Sequence, residues 1–193
     1  RINTVLQEAT RKLDKETWIS DEGKFLEKLE ETSDEVSGLL NTNPEQVQQH
    51  IRPFFEQHEK AHDQLMLDQA AQRIEGTALP TLEKQFFTAE QFGGYLEGSD
   101  PELAKILRDY STHLGESRVG NALQNRFREF REKRQEFLGQ KVVEALQRHP
   151  VPEGVKDERG YWDRLIATDQ ELANLLRHVP QDEREEILKR DDV

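Results

Sequence analysis

The sequence predicts an all-α fold, and three observations carry that prediction. Apolar residues recur at the 3.6-residue helical period along almost every segment, and no stretch alternates apolar and polar residues as a strand does. Helix-start signals recur, at Asn43-Pro44, Thr88 with Gln91, and Asp100-Pro101. Only 34% of the 193 residues are hydrophobic and as many are charged, against about 45% and 25% in an average domain. Helices with wide polar faces and a thin core follow. The expected architecture is an elongated helical bundle of about six to eight helices with a smaller C-terminal helical appendix.

The elements can be placed in order. The first helix is expected from about Ile2 to Lys15, with Ile2, Val5, Leu6, Ala9 and Leu13 on one face. Ser20 is the expected N-cap of a second, whose stripe is Phe25, Leu29, Thr32, Val36, Leu39 and Leu40. Asn43 caps a short third helix with Pro44 at its first position, and Pro53 restarts or kinks the chain. The next helix is expected from Pro53 to about Glu75, stopping at Gly76. Pro80 should open another through Phe86 and Phe87. Thr88 and Gln91 form a capping box, and Gly93-Gly94 reads as a hinge or turn. Asp100-Pro101 starts a helix with Leu103, Ile106, Leu107 and Tyr110 on one face. Residues 115–120 read as a loop. A long helix is expected from Asn121 to Arg148, with Phe127, Phe130, Leu138 and Val142 inward. In the tail, Thr168 and Glu171 should box a helix over Leu172, Leu175 and Leu176, and Pro180 should start another.

This ordering implies a helical bundle over residues 1–149, a Pro- and Gly-containing linker over 150–160, and a short helical appendix over 161–193. There is no internal repeat, and the apolar pattern drifts too far for a sustained heptad. A helical face begins at once after Arg1, so the chain is expected to be a piece of a longer protein.

Composition narrows the function. A net charge of −12 disfavours nucleic acid and anionic membrane as the main partner. Absence of cysteine excludes disulfides, thiolate metal sites and cysteine catalysis, and fits the cytoplasm or another reducing compartment. No apolar run approaches the ~20 residues needed to span a bilayer, and no signal peptide is visible.

One motif could spell out chemistry. His58-Glu59-Lys60-Ala61-His62 matches the H-E-x-x-H pattern of zinc peptidases. Side chains four apart on a helix point the same way, so His58 and His62 could grip one Zn²⁺ while Glu59 served as general base to its water. A third ligand would have to come from elsewhere, with Glu75, Glu83 and Glu90 the candidates. Against this, Lys60 and Asp63 put charges where zinc peptidases carry uncharged residues, and no edge strand precedes the motif. Glu59-x-x-His62 also matches half of a di-iron bundle site, but a second copy is missing. The favoured reading comes from the helical wheel. His58 and His62 fall in one arc with Phe54, Phe55, Ala61, Leu65 and Met66, and pack at the edge of a core. No metal, cofactor or catalytic residue is therefore favoured.

Other features are read alike. Arg126 to Arg134 is basic with Phe127 and Phe130 interleaved. The reading is a solvated charged face over a buried aromatic one, rather than a phosphate-contacting surface. Trp18 and Trp162 are expected as core anchors. Phe86, Phe87 and Phe92 are the candidates for an apolar patch that receives a partner helix, although core packing is the simpler use of them.

Residues 96–123 carry a family resemblance. Leu96-Glu97, Asp100-Pro101-Glu102-Leu103, Ile106-Leu107-Arg108, Leu114-Gly115, Gly120 and Leu123 form a pattern. It resembles the C-terminal region of large conjugative relaxases of the Ti-plasmid type, which is related to the delivery domains of Bartonella-type effectors of type IV secretion. The resemblance implies a helical-bundle signal read by the secretion coupling protein, and a secreted effector as one possible setting. The chain departs from that family in being acidic where those domains tend to be basic.

The expected function is thus a non-catalytic protein-protein interaction or scaffolding module within a larger polypeptide. A type IV delivery signal and a zinc-dependent hydrolase are the alternatives.

Overall fold

The protein is all-α. The computed structural model describes residues 1–110, 118–150 and 158–188, apart from the side chains of Glu158, Arg159, Tyr161, Trp162 and Leu188. Ten helices lie among the described residues, more than the six to eight expected, because several short helices replace longer ones. None is long and apolar enough to cross a membrane. The chain folds into two compact units, Arg1–Ile74 with Asp100–Ala122, and Glu75–Ser99 with Leu123–Val193.

The first unit is built on α1 (Ile2–Lys12), α2 (Glu22–Thr32), α3 (Asp34–Thr42), α4 (Pro44–Gly76) and α6 (Pro101–Asp109). Its main core joins Leu6, Ala9, Leu13, Ile19, Phe25, Leu29, Val36, Val47, Ile51 and Phe55. α1 ends at Lys12, not Lys15, because Leu13 turns into extended backbone. In the α1–α2 loop, buried Leu13 and Ile19 bracket an exposed run from Asp14 to Trp18.

Two expectations change here. The stripe from Phe25 to Leu40 is not one helix. Ser33 adopts extended backbone and its carbonyl accepts the first bonds of α3 from Val36 and Ser37. The polar run Thr32-Ser33-Asp34 offers the backbone competing partners, and the Thr32 hydroxyl bonds back to the Lys28 carbonyl at 2.8 Å. The cap of α2 is Asp21, which accepts from Lys24 N at 2.9 Å, while Ser20 donates to Asp21 instead.

Pro53 does not restart the chain either, since α4 runs through it. Proline removes the N–H that would serve the Gln49 carbonyl. Both residues are exposed, so water can replace the bond, while Val47, Ile51 and Phe55 hold the helix to the core on either side. α6 begins where expected. Asp100 caps it, accepting from Glu102 N and Leu103 N at 3.1 Å, and Arg73 of α4 pairs with the same carboxylate at 3.1 Å.

The second unit holds α5 (Ala89–Ser99), most of α7 (Arg118–Arg148), α8 (Glu158–Thr168), α9 (Gln170–Leu176) and α10 (Gln181–Leu188). The helix expected from Pro80 through Phe87 is absent, and residues 77–88 form an irregular segment. Gly93-Gly94 is no hinge, because both lie inside α5. Gly93 is there for closeness, since a Cβ on it would sit 3.2 Å from the Leu123 side chain. α7 starts at Arg118, so the loop expected over 115–120 is helical from that residue; its earlier part lies outside the described residues. So does most of the expected linker.

Residues of the expected appendix share one core with α7. Leu165, Leu172, Leu176, Val179 and Ile187 join Leu138, Val142 and Ala145. Thr168 does not cap α9. Its hydroxyl bonds back to the Arg164 carbonyl at 2.8 Å, leaving Asp169 to accept from Leu172 N at 3.0 Å. Asp169 is buried and pairs with Arg148 at 2.8 Å. The Leu172 amide first, and Arg148 and His149 after it, hold its carboxyl below the ordinary carboxylate range, against the opposing effect of burial.

A depressed carboxyl stabilises the fold fully above the unfolded value of about 4 and loses that contribution as pH falls through the folded value. Asp169→Ala should therefore cost about 2 kcal/mol at neutral pH. Its acid limb below about pH 4 should be shallower than the parent's. Urea unfolding at pH 7, 5 and 3 checks both.

Candidate functional site

The pentad lies mid-way along α4, with its two imidazoles on the buried face. His58 is 3% exposed and His62 is 4% exposed. Glu59 is half-buried on a neighbouring face. Four residues of helix rise about 6 Å, and two residues of the α1–α2 loop meet that spacing. His62 Nδ1 lies 2.7 Å from the Lys15 carbonyl and His58 Nε2 lies 3.3 Å from the Thr17 carbonyl. A carbonyl only accepts, so each of these nitrogens donates.

His62 is bonded at both nitrogens, with Tyr110 Oη 2.9 Å from its Nε2. In the neutral ring the proton sits on Nδ1, so Nε2 accepts from the tyrosine. Burial, and then the carboxylates of Asp63 and Asp109, push the Tyr110 phenol above its ordinary value. Phe25 packs at 5.5 Å from the His58 ring, and Trp18 at 5.5 Å from the His62 ring.

The zinc reading needs ring nitrogens with lone pairs converging on one point. Here three of the ring nitrogens are directed at two separate carbonyls and a phenol. Among the described residues, no group of three His, Asp or Glu is placed to hold a metal. The geometry fits the pair to loop anchoring.

What the anchored loop presents is a cleft of about 560 Å³ within the first unit. α4 lines it with His62, Asp63 and Met66. α6 supplies Glu102, Lys105, Ile106 and Asp109, followed by Tyr110, and the loop supplies Glu16 and Trp18. Four carboxylates face one ammonium. Trp18 is 59% exposed, so its expected role as a core anchor is wrong. The segment around it, Glu16-Thr17-Trp18-Ile19-Ser20, has one inward position, and Ile19 occupies it. The other expected anchor, the side chain of Trp162, lies outside the described residues.

In the second unit the three phenylalanines differ in exposure. Phe92 is fully buried and Phe86 half-buried. Phe86 packs against Phe92 at 5.6 Å, Phe130 at 5.4 Å and Tyr95 at 5.5 Å. Phe87 alone is well exposed, at 57%. The basic stretch of α7 is not a uniformly solvated face. Arg134 is buried and donates to the Lys84 carbonyl at 3.0 Å, and Arg126 reaches the Thr77 carbonyl. These guanidinium groups serve the irregular 77–88 segment.

Compared with known proteins, the chain matches no family model, no curated protein and no solved structure.

The sequence reading missed Trp18, Tyr110 and the carboxylates around them as a group. The available signal was Trp18's place in a segment without helical period between two helices. Tyr110 and the carboxylates sit on elements far apart in sequence, and only the tertiary fold assembles them.

His62→Ala would leave the Lys15 carbonyl and Tyr110 hydroxyl without their partner and open a void. A loss of about 3 kcal/mol is expected, against about 1 kcal/mol for Tyr110→Phe, both read from urea unfolding. A metal bound to the folded state would raise its stability by mass action. Zn²⁺ or a chelator should leave the parent's melting midpoint unchanged.

Proposed function

We propose that this chain is a non-catalytic protein-binding module whose contact surface is the Trp18 cleft. The observation that carries this reading is an exposed tryptophan on a loop fixed from below. Two buried histidines are committed to the backbone of residues 15 and 17, and the side chain between their reach and Ile19 points into solvent. Tryptophan is prominent among residues that dominate binding energy. A loop already held in place loses little freedom on association. A cleft of about 560 Å³ also falls within the ~300–1,000 Å³ range of ligand-sized sites. Phe87 supplies a second exposed aromatic, in the other unit.

Selection of a random peptide library against the immobilised protein tests the reading. It should enrich a family of peptides that compete with one another. Trp18→Ala should weaken their binding at least about tenfold while leaving the circular dichroism spectrum and melting midpoint near the parent's. Peptides that bind Trp18→Ala and parent alike would defeat it.

A further inference from the structure

The chemistry of the cleft selects among protein partners. This step rests on the binding-module reading and goes further, to the kind of side chain that enters.

Trp18 and Tyr110 flank His62, their rings 5.5 Å and 6.2 Å from the imidazole. An indole face is the best natural surface for a cation. Asp63 and Asp109 both lie close enough to the Tyr110 hydroxyl to act on it electrostatically. Glu16 stands on the Trp18 loop and Glu102 on α6, one turn before Lys105 and two before Asp109. Set against these four carboxylates is the single ammonium of Lys105. The floor is apolar or already hydrogen-bonded. Met66 offers only a weakly accepting thioether and the Ile106 side chain no polar atom, and both nitrogens of His62 have protein partners.

An anion would meet repulsion here, and an uncharged apolar group would leave the carboxylates to be desolvated without compensation. A guanidinium suits both halves of the lining. Its flat face stacks on an aromatic ring, and its edge donates to carboxylates in pairs. The cleft volume exceeds what one side chain fills, so the backbone around the guanidinium can also enter.

We propose that the Trp18 cleft receives an arginine side chain from a basic segment of a partner protein. The guanidinium stacks on Trp18, with Asp63 and Asp109 as its acceptors.

A fluorescein-labelled peptide with two arginines spaced by glycine is the probe, and its copy with citrulline in place of arginine is the uncharged control. Fluorescence anisotropy at low salt should show saturable binding of the arginine peptide and at least about tenfold weaker binding of the citrulline peptide. Trp18→Ala should weaken the arginine peptide about tenfold, and Trp18→Phe should restore most of the loss. Asp63→Asn with Asp109→Asn should weaken it comparably and flatten its salt dependence.

A charge-matched control removes two exposed carboxylates of α2, Glu27→Gln with Glu30→Gln. It should stay within about twofold of the parent. Equal loss in that control, or no loss in Trp18→Ala, would show attraction to net negative charge alone and overturn the proposal. Spermine binding with the same dependence on Trp18 would also overturn it, by making the ligand a free polyamine. If library selection yields Trp18-dependent peptides without basic residues, the arginine proposal falls while the binding-module reading stands. If no enriched peptide depends on Trp18, both fall.

Discussion

The first unit depends on two hydrogen bonds from buried imidazoles to loop carbonyls. The α1–α2 connection has no regular structure from Asp14 to Ser20, so its backbone groups lack the partners that a helix would give them. These two carbonyls are partly buried where they meet α4, and leaving such a group without a partner costs up to about 1–3 kcal/mol. His58 and His62 supply partners at Thr17 and Lys15, and they are spaced by one helical turn so that one side of α4 can do it. With those carbonyls fixed, Ile19 can enter the core beside Phe25 and Leu13. The chain then passes into the Asp21 cap of α2 in a defined direction. Without them, Trp18 would be a loosely held apolar side chain rather than a wall of a cleft.

The second unit solves the same problem with different residues. The 77–88 segment is also irregular, and long side chains of α7 reach its carbonyls, Arg126 at Thr77 and Arg134 at Lys84. Burial pulls the Arg134 guanidinium below its ordinary value while Glu183, 3.9 Å away, acts in the opposite sense. A guanidinium buried beside one distant carboxylate would be costly. The carbonyl it serves makes the burial tolerable. Thin cores explain the shared device. With 34% hydrophobic residues, there is too little apolar side chain to cover every connection, so polar side chains with long reach close the gaps.

What could be read in the sequence follows from the range of the forces involved. The helical class was legible because the 3.6-residue period is local, and so was the start of α6, where Asp100 and Pro101 act on their own next turn. Errors concentrate where a longer-range contact overrides a local signal. Gly93-Gly94 reads as a breaker, but both lie inside α5, where Gly93 packs closely against the Leu123 side chain. Pro53 reads as a restart, but core residues on both sides of it carry α4 through. Thr168 and Asp169 compete for one cap. The residue with the ionisable side chain and a cationic neighbour takes it, and that neighbour, Arg148, lies 21 positions away.

The pentad shows how a chemical motif and a structural one can share a spelling. Two histidines four apart on a helix present their rings in one direction whether the object there is an ion or a peptide backbone. Spacing sets the direction and leaves the object open. The difference lies in what faces the rings. A metal site needs a third donor converging on the same point, with the first two nitrogens unprotonated toward it. Backbone carbonyls need the reverse, a proton on the nitrogen that faces them. The loop from Asp14 to Ser20 presents two such carbonyls at the spacing of one turn, so the rings act as donors. The consequence reaches the surface, because the loop is held through its carbonyls and Ile19, which leaves the Trp18 side chain exposed. Trp18 is therefore displayed by the same residues that first suggest catalysis.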